Sequence, residues 1–357
     1  MTATGQALDV RVLRSIPTPV ADSLLAQGCR TAGDVLGHPQ ALKEALAQHH
    51  AAGPESKAKA MLNGCQQEAS AADAWASADS ALELLRQAQA VQPLVLPCGG
   101  LTSLLGNSMR PGGTFLEVYG LPGSGKTQFC LQLCAAAQIP ILRGPVDASG
   151  DAEAVFVDTE GSFVPRRYLQ VCRALLKERR SPENPAHLEG VLRRLHVCRT
   201  YDATELYATL KNLKGFLKAR PKVRVLVVDS IAFSFRHELM ENMAQRARVL
   251  ADIAATLRGY GADHNLVIVV TNHMTTRFEK GREDGGWLAP ALGETWAHQP
   301  STQLRLEKMP GNEGLSRATL TKSVEQAAGR SCLFRIEEAG LRDAVEAKRP
   351  PIQSGYH

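Results

Sequence analysis

A glycine-rich segment between an apolar run and a helix carries the clearest chemical signature of this sequence. Gly120-Leu121-Pro122-Gly123-Ser124-Gly125-Lys126-Thr127 fits the spacing G-x-x-x-x-G-K-T. Its glycines let the backbone wrap around phosphate oxygens, while amides and the dipole of the following helix face the anion. Lys126 can neutralise charge on the β- and γ-phosphates, and the Thr127 hydroxyl can ligate Mg²⁺. The segment therefore predicts a site for ATP and Mg²⁺; the flanking strand and helix disfavour a chance match.

Acidic residues stand at the ends of two further apolar runs. Asp229 follows Val225 to Val228, where it can hold Mg²⁺ through its water shell or, alternatively, cap the next helix. Asp158 and Glu160 follow Val155 to Val157. Glu160 is placed to orient an attacking water, and Asp158 has the more structural interpretation of a capping or turn partner.

A fourth apolar run also ends in polar residues, which we expect to lie at the same edge of a sheet as the glycine-rich segment and the two acidic strand ends. The run Leu266 to Val270 leads through Thr271 and Asn272 to His273. This histidine is either a sensor of the γ-phosphate or a solvated loop residue, and the sequence leaves both open.

The elements that must position these residues follow from apolar, β-branched runs that alternate with helical segments after Thr114. Continuous apolar strands in such an arrangement are typical of an α/β core with a mostly parallel sheet and helices on both faces. The last three predicted strands are expected to be antiparallel additions at one edge. The predicted strands are Phe115–Tyr119, Ala154–Val157, Leu195–Cys198, Val223–Val228, Leu266–Val270, Thr302–Leu306, Arg317–Thr321 and Cys332–Ile336.

The region before the core predicts a small N-terminal helical domain with helix-hairpin-helix character. Thr31 and Asp34 are spaced to cap one of its helices, and its last short helix is expected to end near Asn63-Gly64. Such a domain contacts DNA phosphates or serves as a protein-docking module, and both remain open. The predicted limits are 1–65 for this domain, 66–97 for a linker around one helix, 98–345 for the ATPase domain and 346–357 for a tail.

Composition fits an intracellular globular protein. The 357 residues are 44% hydrophobic, and 41 basic against 36 acidic residues permit nucleic-acid contact without forming a basic arm. Eight cysteines without a C-x-x-C pair favour neither zinc nor disulfides, which suggests a reducing compartment. We expect no signal peptide and no membrane span.

Taken together, these motifs resemble those of the RecA-like eukaryotic recombinases. The resemblance covers nearly the whole chain and rests on the glycine-rich segment, Asp158 to Phe163, Val228 to Ser230, and Thr271-Asn272. It implies ATP binding and slow hydrolysis, action in the nucleus in DNA repair, and assembly with sister paralogues.

Longer stretches are closer to one branch of that family, the C-type paralogue. The matching stretches are Ser80 to Leu85, Ile231 to His237, Met274 to Thr276, and Pro290 to Trp296. We therefore expect partners among the sister paralogues and the strand-exchange recombinase, and single-stranded or branched DNA bound through the complex.

The chain departs from the family where ATP is coupled to DNA. The family carries a glutamine at the position of His273. Its first DNA-facing loop is rich in Arg and Gly, whereas Phe235 to Glu241 is short and not basic. In the second loop, Thr276 to Pro290, acidic residues balance the basic ones, and Trp287 either stacks a base or packs on its own scaffold.

The resemblance also suggests roles for three residues outside the phosphate site. Arg167 falls where the family contacts nucleotide near the adenine, although a helix-face arginine is equally compatible. Lys322 either reaches a neighbour's nucleotide or is an exposed strand-end lysine. Trp75 loosely matches the Phe-x-x-Ala segment that recombinases insert into a neighbour, with intramolecular packing as the alternative.

The predicted function is that of an ATP-dependent mediator subunit in homologous-recombination repair of DNA double-strand breaks. Glu160 and Lys126 are the predicted catalytic residues, and Thr127 and Asp229 the predicted Mg²⁺ ligands. Two alternatives remain: a self-assembling strand-exchange recombinase, and a scaffold that binds nucleotide without turnover.

Overall fold

The computed structural model describes residues 7–49, 54–76, 78–139, 152–178, 185–235, 243–277, 287–312 and 314–344. The chain divides into two compact units, Met1–Ala90 and Val91–His357. Among the described helices, none combines the length and the hydrophobicity that a bilayer crossing requires.

The first unit is helical, as predicted. Thr31 and Asp34 form a reciprocal capping box: the Thr31 hydroxyl accepts a hydrogen bond from the Asp34 amide at 3.2 Å, and the Asp34 carboxylate accepts one from the Thr31 amide at 2.9 Å. Buried apolar residues including Val10, Leu24 and Leu42 form its core. The helices are α1 (Thr18–Ala26), α2 (Ala32–Gly37), α3 (Pro39–Gln48), α4 (Pro54–Ala76) and α5 (Ala81–Ala90).

Helix α4 is longer than the sequence suggests, and the helix end predicted near Asn63-Gly64 is wrong. A Cβ at Gly64 would lie 2.4 Å from the Ser15 Cβ, so the glycine allows close packing instead of ending the helix. One turn further on, the Glu68 carboxylate accepts hydrogen bonds from the amides of Arg14 and Ser15 at 2.8 and 2.7 Å. These contacts stabilise the helix across residue 65, and the domain limits stay predictions.

The second unit contains the α/β core. Its helices are α6 (Gly99–Leu105), α7 (Lys126–Gln138), α8 (Pro165–Glu178), α9 (Pro185–Arg193), α10 (Ala203–Ala219), α11 (Ile231–Ser234), α12 (Met243–His264) and α13 (Glu294–Ala297). Its strands are β1 (Phe115–Gly120), β2 (Glu153–Asp158), β3 (Leu195–Arg199), β4 (Val223–Asp229), β5 (Val267–Arg277), β6 (Trp287–Pro290), β7 (Thr302–Lys308), β8 (Leu315–Lys322), β9 (Ser331–Glu337) and β10 (Gly340–Asp343).

In the described residues, these strands form one sheet in the order β10-β9-β8-β7-β1-β5-β4-β2-β3, with β6 paired to β5. All pairings from β7 through β1, β5, β4 and β2 to β3 are parallel, which confirms the predicted parallel core. Strands β8, β9 and β10 add antiparallel pairings, as expected.

The antiparallel orientation expected for the Thr302 strand is wrong. Strand β7 runs parallel to β1, because the chain returns through β6 and α13 to the edge of the sheet at which β1 begins. The short strands β6 and β10 were not predicted. Each has only four residues, and β6 ends in a proline, so neither shows the apolar run of a central strand.

Side chains of the central strands alternate between two apolar layers. On β4, Val225 and Val227 face one cluster with Phe129 of α7, while Leu226 and Val228 face the other cluster with helices α10 and α12. Both faces of the sheet are therefore covered, as the continuous apolar runs predict.

A carboxylate lies in the middle of this core. Glu117 of β1 is fully buried, and its Oε1 accepts hydrogen bonds from Asn272 Nδ2 at 2.7 Å and Trp296 Nε1 at 2.8 Å. Its Oε2 accepts one from Gln303 Nε2 at 2.6 Å. Burial raises the pKa of Glu117 although these three donors oppose the shift. One side chain thus joins β1 to β5, β7 and α13.

We expect Glu117→Ala to lower the free energy of unfolding by about 3 kcal/mol, since three buried donors lose their acceptor. The matched control is Glu307→Ala on β7, which removes a half-exposed carboxylate 3.0 Å from Arg305 and should cost less than about 1 kcal/mol. Urea unfolding of both variants measures the difference. Equal costs would show that the buried network contributes nothing beyond a surface pair.

Candidate functional site

The glycine-rich segment forms a tight turn between β1 and α7. Gly123 and Gly125 have φ angles of +74° and +102°, in the left-handed region that favours glycine. At Gly120 a Cβ would lie 2.3 Å from the Leu306 carbonyl oxygen and 2.5 Å from the Ser124 hydroxyl. The turn therefore needs glycine at these positions for two different reasons, backbone conformation and close packing.

Lys126 opens α7 and folds back over the turn. Its Nζ donates hydrogen bonds to the carbonyl oxygens of Gly120 at 3.1 Å and Leu121 at 3.2 Å, and the residue is only 7% exposed. A buried ammonium beside the first amides of a helix is an anion-binding arrangement. The turn and Lys126 therefore form a preformed cradle, and its binding of phosphate stays a prediction.

The predicted Mg²⁺ ligands are in contact with each other. Thr127 Oγ1 donates to Asp229 Oδ2 at 2.7 Å, and the hydroxyls of Ser162 and Thr271 also donate to this carboxylate. Burial raises the pKa of Asp229, partly offset by these hydroxyls. A buried carboxylate next to a hydroxyl, at the end of a phosphate cradle, offers the hard oxygen ligands that Mg²⁺ takes. The donor set fits the ion.

Glu160 lies at the neighbouring strand end and contacts two polar groups. Its Oε1 accepts a hydrogen bond from the Ser230 hydroxyl and lies in contact with His273 Nε2. Burial alone would raise the pKa of Glu160, but the hydrogen bonds from His273 and Ser230 and the charge of Lys126 outweigh it and lower the pKa. The carboxylate is therefore ionised at neutral pH, as acceptance of a proton from water requires.

His273 ends the parallel part of β5 and faces the same cavity. The residue is 7% exposed, and its Nδ1 has no hydrogen-bond partner among the described groups. It is therefore not the solvated loop histidine that the sequence allowed, and its role as a phosphate sensor stays a prediction.

Asp158 has the structural role that the sequence favoured. Its Oδ1 accepts hydrogen bonds from the amides of Glu160, Gly161 and Ser162 at 3.2, 2.8 and 3.1 Å. Arg199 Nη1 lies 3.1 Å from the same oxygen. This turn fixes the backbone that carries Glu160 into the site.

These groups surround one cavity of about 1100 Å³. The turn between β7 and β8 forms its far wall, which the sequence did not assign to the site. The lining residues are Pro122, Gly123, Gly125, Lys126, Thr127, Gln128, Glu160, Asp229, His273, Lys308, Met309, Gly311, Asn312, Gly314, Leu315, Ser316 and Ile336. The missed signal is Lys308 followed by a proline- and glycine-containing turn, at the end of a strand parallel to β1.

Arg167 is not brought into this cavity. Its guanidinium donates to Gln128 Oε1 at 2.7 Å and to the carbonyl oxygens of Glu337 and Glu338 at 2.7 and 2.6 Å. These acceptors fix the guanidinium at the turn between β9 and β10, so the predicted nucleotide contact would require these bonds to break and stays a prediction. Gln128, its partner, does line the cavity.

Lys322 is also held within its own chain. Its Nζ donates to the carbonyl oxygens of Ala297 at 3.0 Å and His298 at 3.3 Å. The predicted reach of Lys322 to a neighbour's nucleotide would require these two bonds to break.

Several predicted DNA- and partner-contacting residues lie outside the described part of the chain. These are residues 236–242 of the first loop, residues 278–286 of the second loop, and the side chains of Arg277, Trp287 and Trp75.

Comparison with known proteins shows that the chain is similar to DNA repair proteins. The Rad51 family profile matches residues 94–344. The protein is 34% identical over 278 residues to the DNA repair protein RAD51 homolog 3 of Cricetulus griseus, covering 74% of this chain and 72% of the relative. It is 28% identical to the Dictyostelium discoideum homolog 3, covering 76% of this chain and 71% of the relative. It is 30% identical to RAD51 homolog 4 of Bos taurus, and the match covers 65% of this chain and 67% of the relative.

Among solved structures, the RadB recombinase matches with a TM-score of 0.55 and 27% identity, over 71% of this chain and all of that chain. The predicted RecA-like fold is confirmed, and the similarity to homolog 3 confirms the predicted likeness to the C-type paralogue. The chain belongs to the Rad51 family.

Proposed function

We propose that this protein is an ATP-binding mediator subunit in homologous-recombination repair of DNA double-strand breaks. The observation that carries the proposal is the convergence of Lys126, Thr127, Asp229 and Glu160 on one cavity of a chain in the Rad51 family. Relatives named as DNA repair proteins support the biological role. ATP with Mg²⁺ is the ligand that these four side chains fit best.

In the proposed mechanism, the amides of the turn and Lys126 hold the β- and γ-phosphates. Thr127 and Asp229 would hold Mg²⁺, which neutralises phosphate charge when bound. Glu160 orients and deprotonates the attacking water. Ser230 and His273 both contact its Oε1, so the carboxylate is held in position and its Oε2 is left to accept the proton. Hydrolysis is proposed to be slow.

The proposed setting is the nucleus, within a hetero-oligomer of sister paralogues that acts with the strand-exchange recombinase. Single-stranded or branched DNA is bound through this complex. Two features support a mediator over an independent recombinase: a first loop that is short and not basic, and His273 in place of the family's glutamine.

We expect Lys126→Ala to weaken ATP binding by at least about tenfold, because the ammonium that neutralises the phosphates is lost. Calorimetric titration with Mg·ATP measures the affinity, and circular dichroism verifies the fold. Lys218→Ala, which removes an exposed lysine from α10, is the control and should leave the affinity unchanged. Wild-type affinity in Lys126→Ala would refute the proposed site.

Glu160→Gln should bind Mg·ATP as the wild-type protein does and lose turnover by about a hundredfold or more, since only the proton acceptor is removed. Phosphate release at saturating ATP is the measurement. Glu189→Gln on the exposed face of α9 serves as the control. If Glu160→Gln instead abolishes nucleotide binding, the carboxylate is structural.

The isolated protein should neither exchange DNA strands nor form long homopolymers in ATP. Size analysis and a strand-exchange assay, each run with and without candidate sister subunits, test this. The expected result is a stable mixed complex whose ATPase exceeds that of the separate chains. Efficient exchange by the isolated protein would identify it as a recombinase in its own right.

A further inference from the structure

Strand β7 ends at Lys308, which lies at the rim of the proposed phosphate-binding cavity. Lys308 has no role in the mechanism proposed above. Leu306 of β7 pairs with Gly120, the last residue of β1. Lys308 lies two residues further along the same strand, so its side chain points to the same face as that of Leu306. The parallel register therefore carries a second cation to the glycine-rich turn.

The side chain of Lys308 lies close to the glycine-rich turn. A Cβ at Gly123 would lie 3.2 Å from the Lys308 Nζ and 3.6 Å from its Cε. Gly123 is the fourth residue of the phosphate-binding turn and lines the cavity together with Lys308. The ammonium therefore lies directly beside the part of the turn whose amides face an anion.

The charge of Lys308 is not used elsewhere in the described structure. Its side chain is exposed, and among the described residues it makes no hydrogen bond or ion pair. The adjacent acid, Glu307, pairs instead with Arg305 at 3.0 Å, on the opposite face of the sheet. None of the described groups therefore neutralises the ammonium beside the turn, which can bind an anionic ligand there.

The described residues of the hairpin that carries Lys308, all but residue 313, are held by main-chain hydrogen bonds. Main-chain hydrogen bonds join the Met309 amide to the Leu315 carbonyl at 3.0 Å and the Leu315 amide to the Asn312 carbonyl at 3.2 Å. Gly311 and Gly314 supply φ angles of +75° and +78°. The wall facing the phosphate turn is therefore preformed, and Lys308 lies at its base.

We propose that Lys308 is a second phosphate-binding lysine, which the β7–β8 hairpin of the same chain supplies to the polyphosphate of the nucleotide held by the turn. This inference rests on the proposed ATP-binding function. Lys126 binds from a buried position at the start of α7, whereas Lys308 closes the site from its solvent-exposed rim. The contribution of Lys308 therefore weakens as salt increases.

The test compares Lys308→Gln and Lys308→Arg with Arg317→Gln in the full chain. Arg317 is an exposed cation on the same hairpin that does not line the cavity, so its variant controls for net charge. Competition against a fluorescent ATP analogue measures affinities for ATP, ADP and AMP at low and high salt.

Lys308→Gln should weaken the binding of ATP and ADP by about fivefold to tenfold at low salt. The binding of AMP should be much less affected. Lys308→Arg should restore most of the affinity, and Arg317→Gln should match the wild type. Without nucleotide, all variants should unfold at the same midpoint temperature. If Lys308 had only a structural role, Lys308→Gln would unfold at a lower temperature.

Two outcomes would overturn the inference. One is equal nucleotide affinity in Lys308→Gln and Arg317→Gln while Lys126→Ala is impaired, in which case the proposed ATP site stands and only Lys308 is excluded. The other is unchanged nucleotide affinity with weakened binding of a single-stranded oligonucleotide, which would assign Lys308 to nucleic-acid phosphate. If Lys126→Ala also binds ATP normally, the proposed function itself fails.

Discussion

The parallel register of the central strands determines where the groups of the site lie. Gly120 pairs with His273 on one side and with Leu306 on the other, and Asp158 pairs with Asp229. Since parallel strands end at one edge of a sheet, residues separated by up to about two hundred positions in sequence meet there. A shift of one residue in any pairing would turn a functional side chain into the apolar layers.

Three buried or half-buried carboxylates on the central strands, or directly after them, accept hydrogen bonds from different kinds of donor. Glu117 is satisfied by three neutral N–H donors and serves packing. In the described contacts the Asp229 carboxylate accepts hydrogen bonds from hydroxyls, and these offset only part of the rise in its pKa that burial causes. Glu160 is stabilised as an anion by His273 and Ser230. The donors around each carboxylate therefore differ, and these differences support the structural role of Glu117 and the roles proposed for Asp229 and Glu160.

The sequence could predict what depends on local spacing. The glycine-rich turn, the strand-end acids and the structural role of Asp158 follow from residue type and position along one segment. The orientation of β7, the contact of Arg167 with main-chain carbonyls and the approach of Lys308 could not be predicted. They depend on which distant strand becomes a neighbour, and local propensity carries no information about that. The length of α4 was missed for the same reason, since its partner Ser15 lies far away in sequence.

Among the described residues, the open sheet has two terminal strands, β10 and β3, whose main-chain groups are covered by no further described strand. Such edges are templates for unwanted pairing between molecules, and proteins protect them with short strands and charge. Strand β10 has only four residues, and its Arg342 is paired with Glu178. Strand β3 carries His196 and Arg199, each paired with an acid. Replacing Arg342 and Arg199 by neutral residues should therefore make the protein more prone to aggregate.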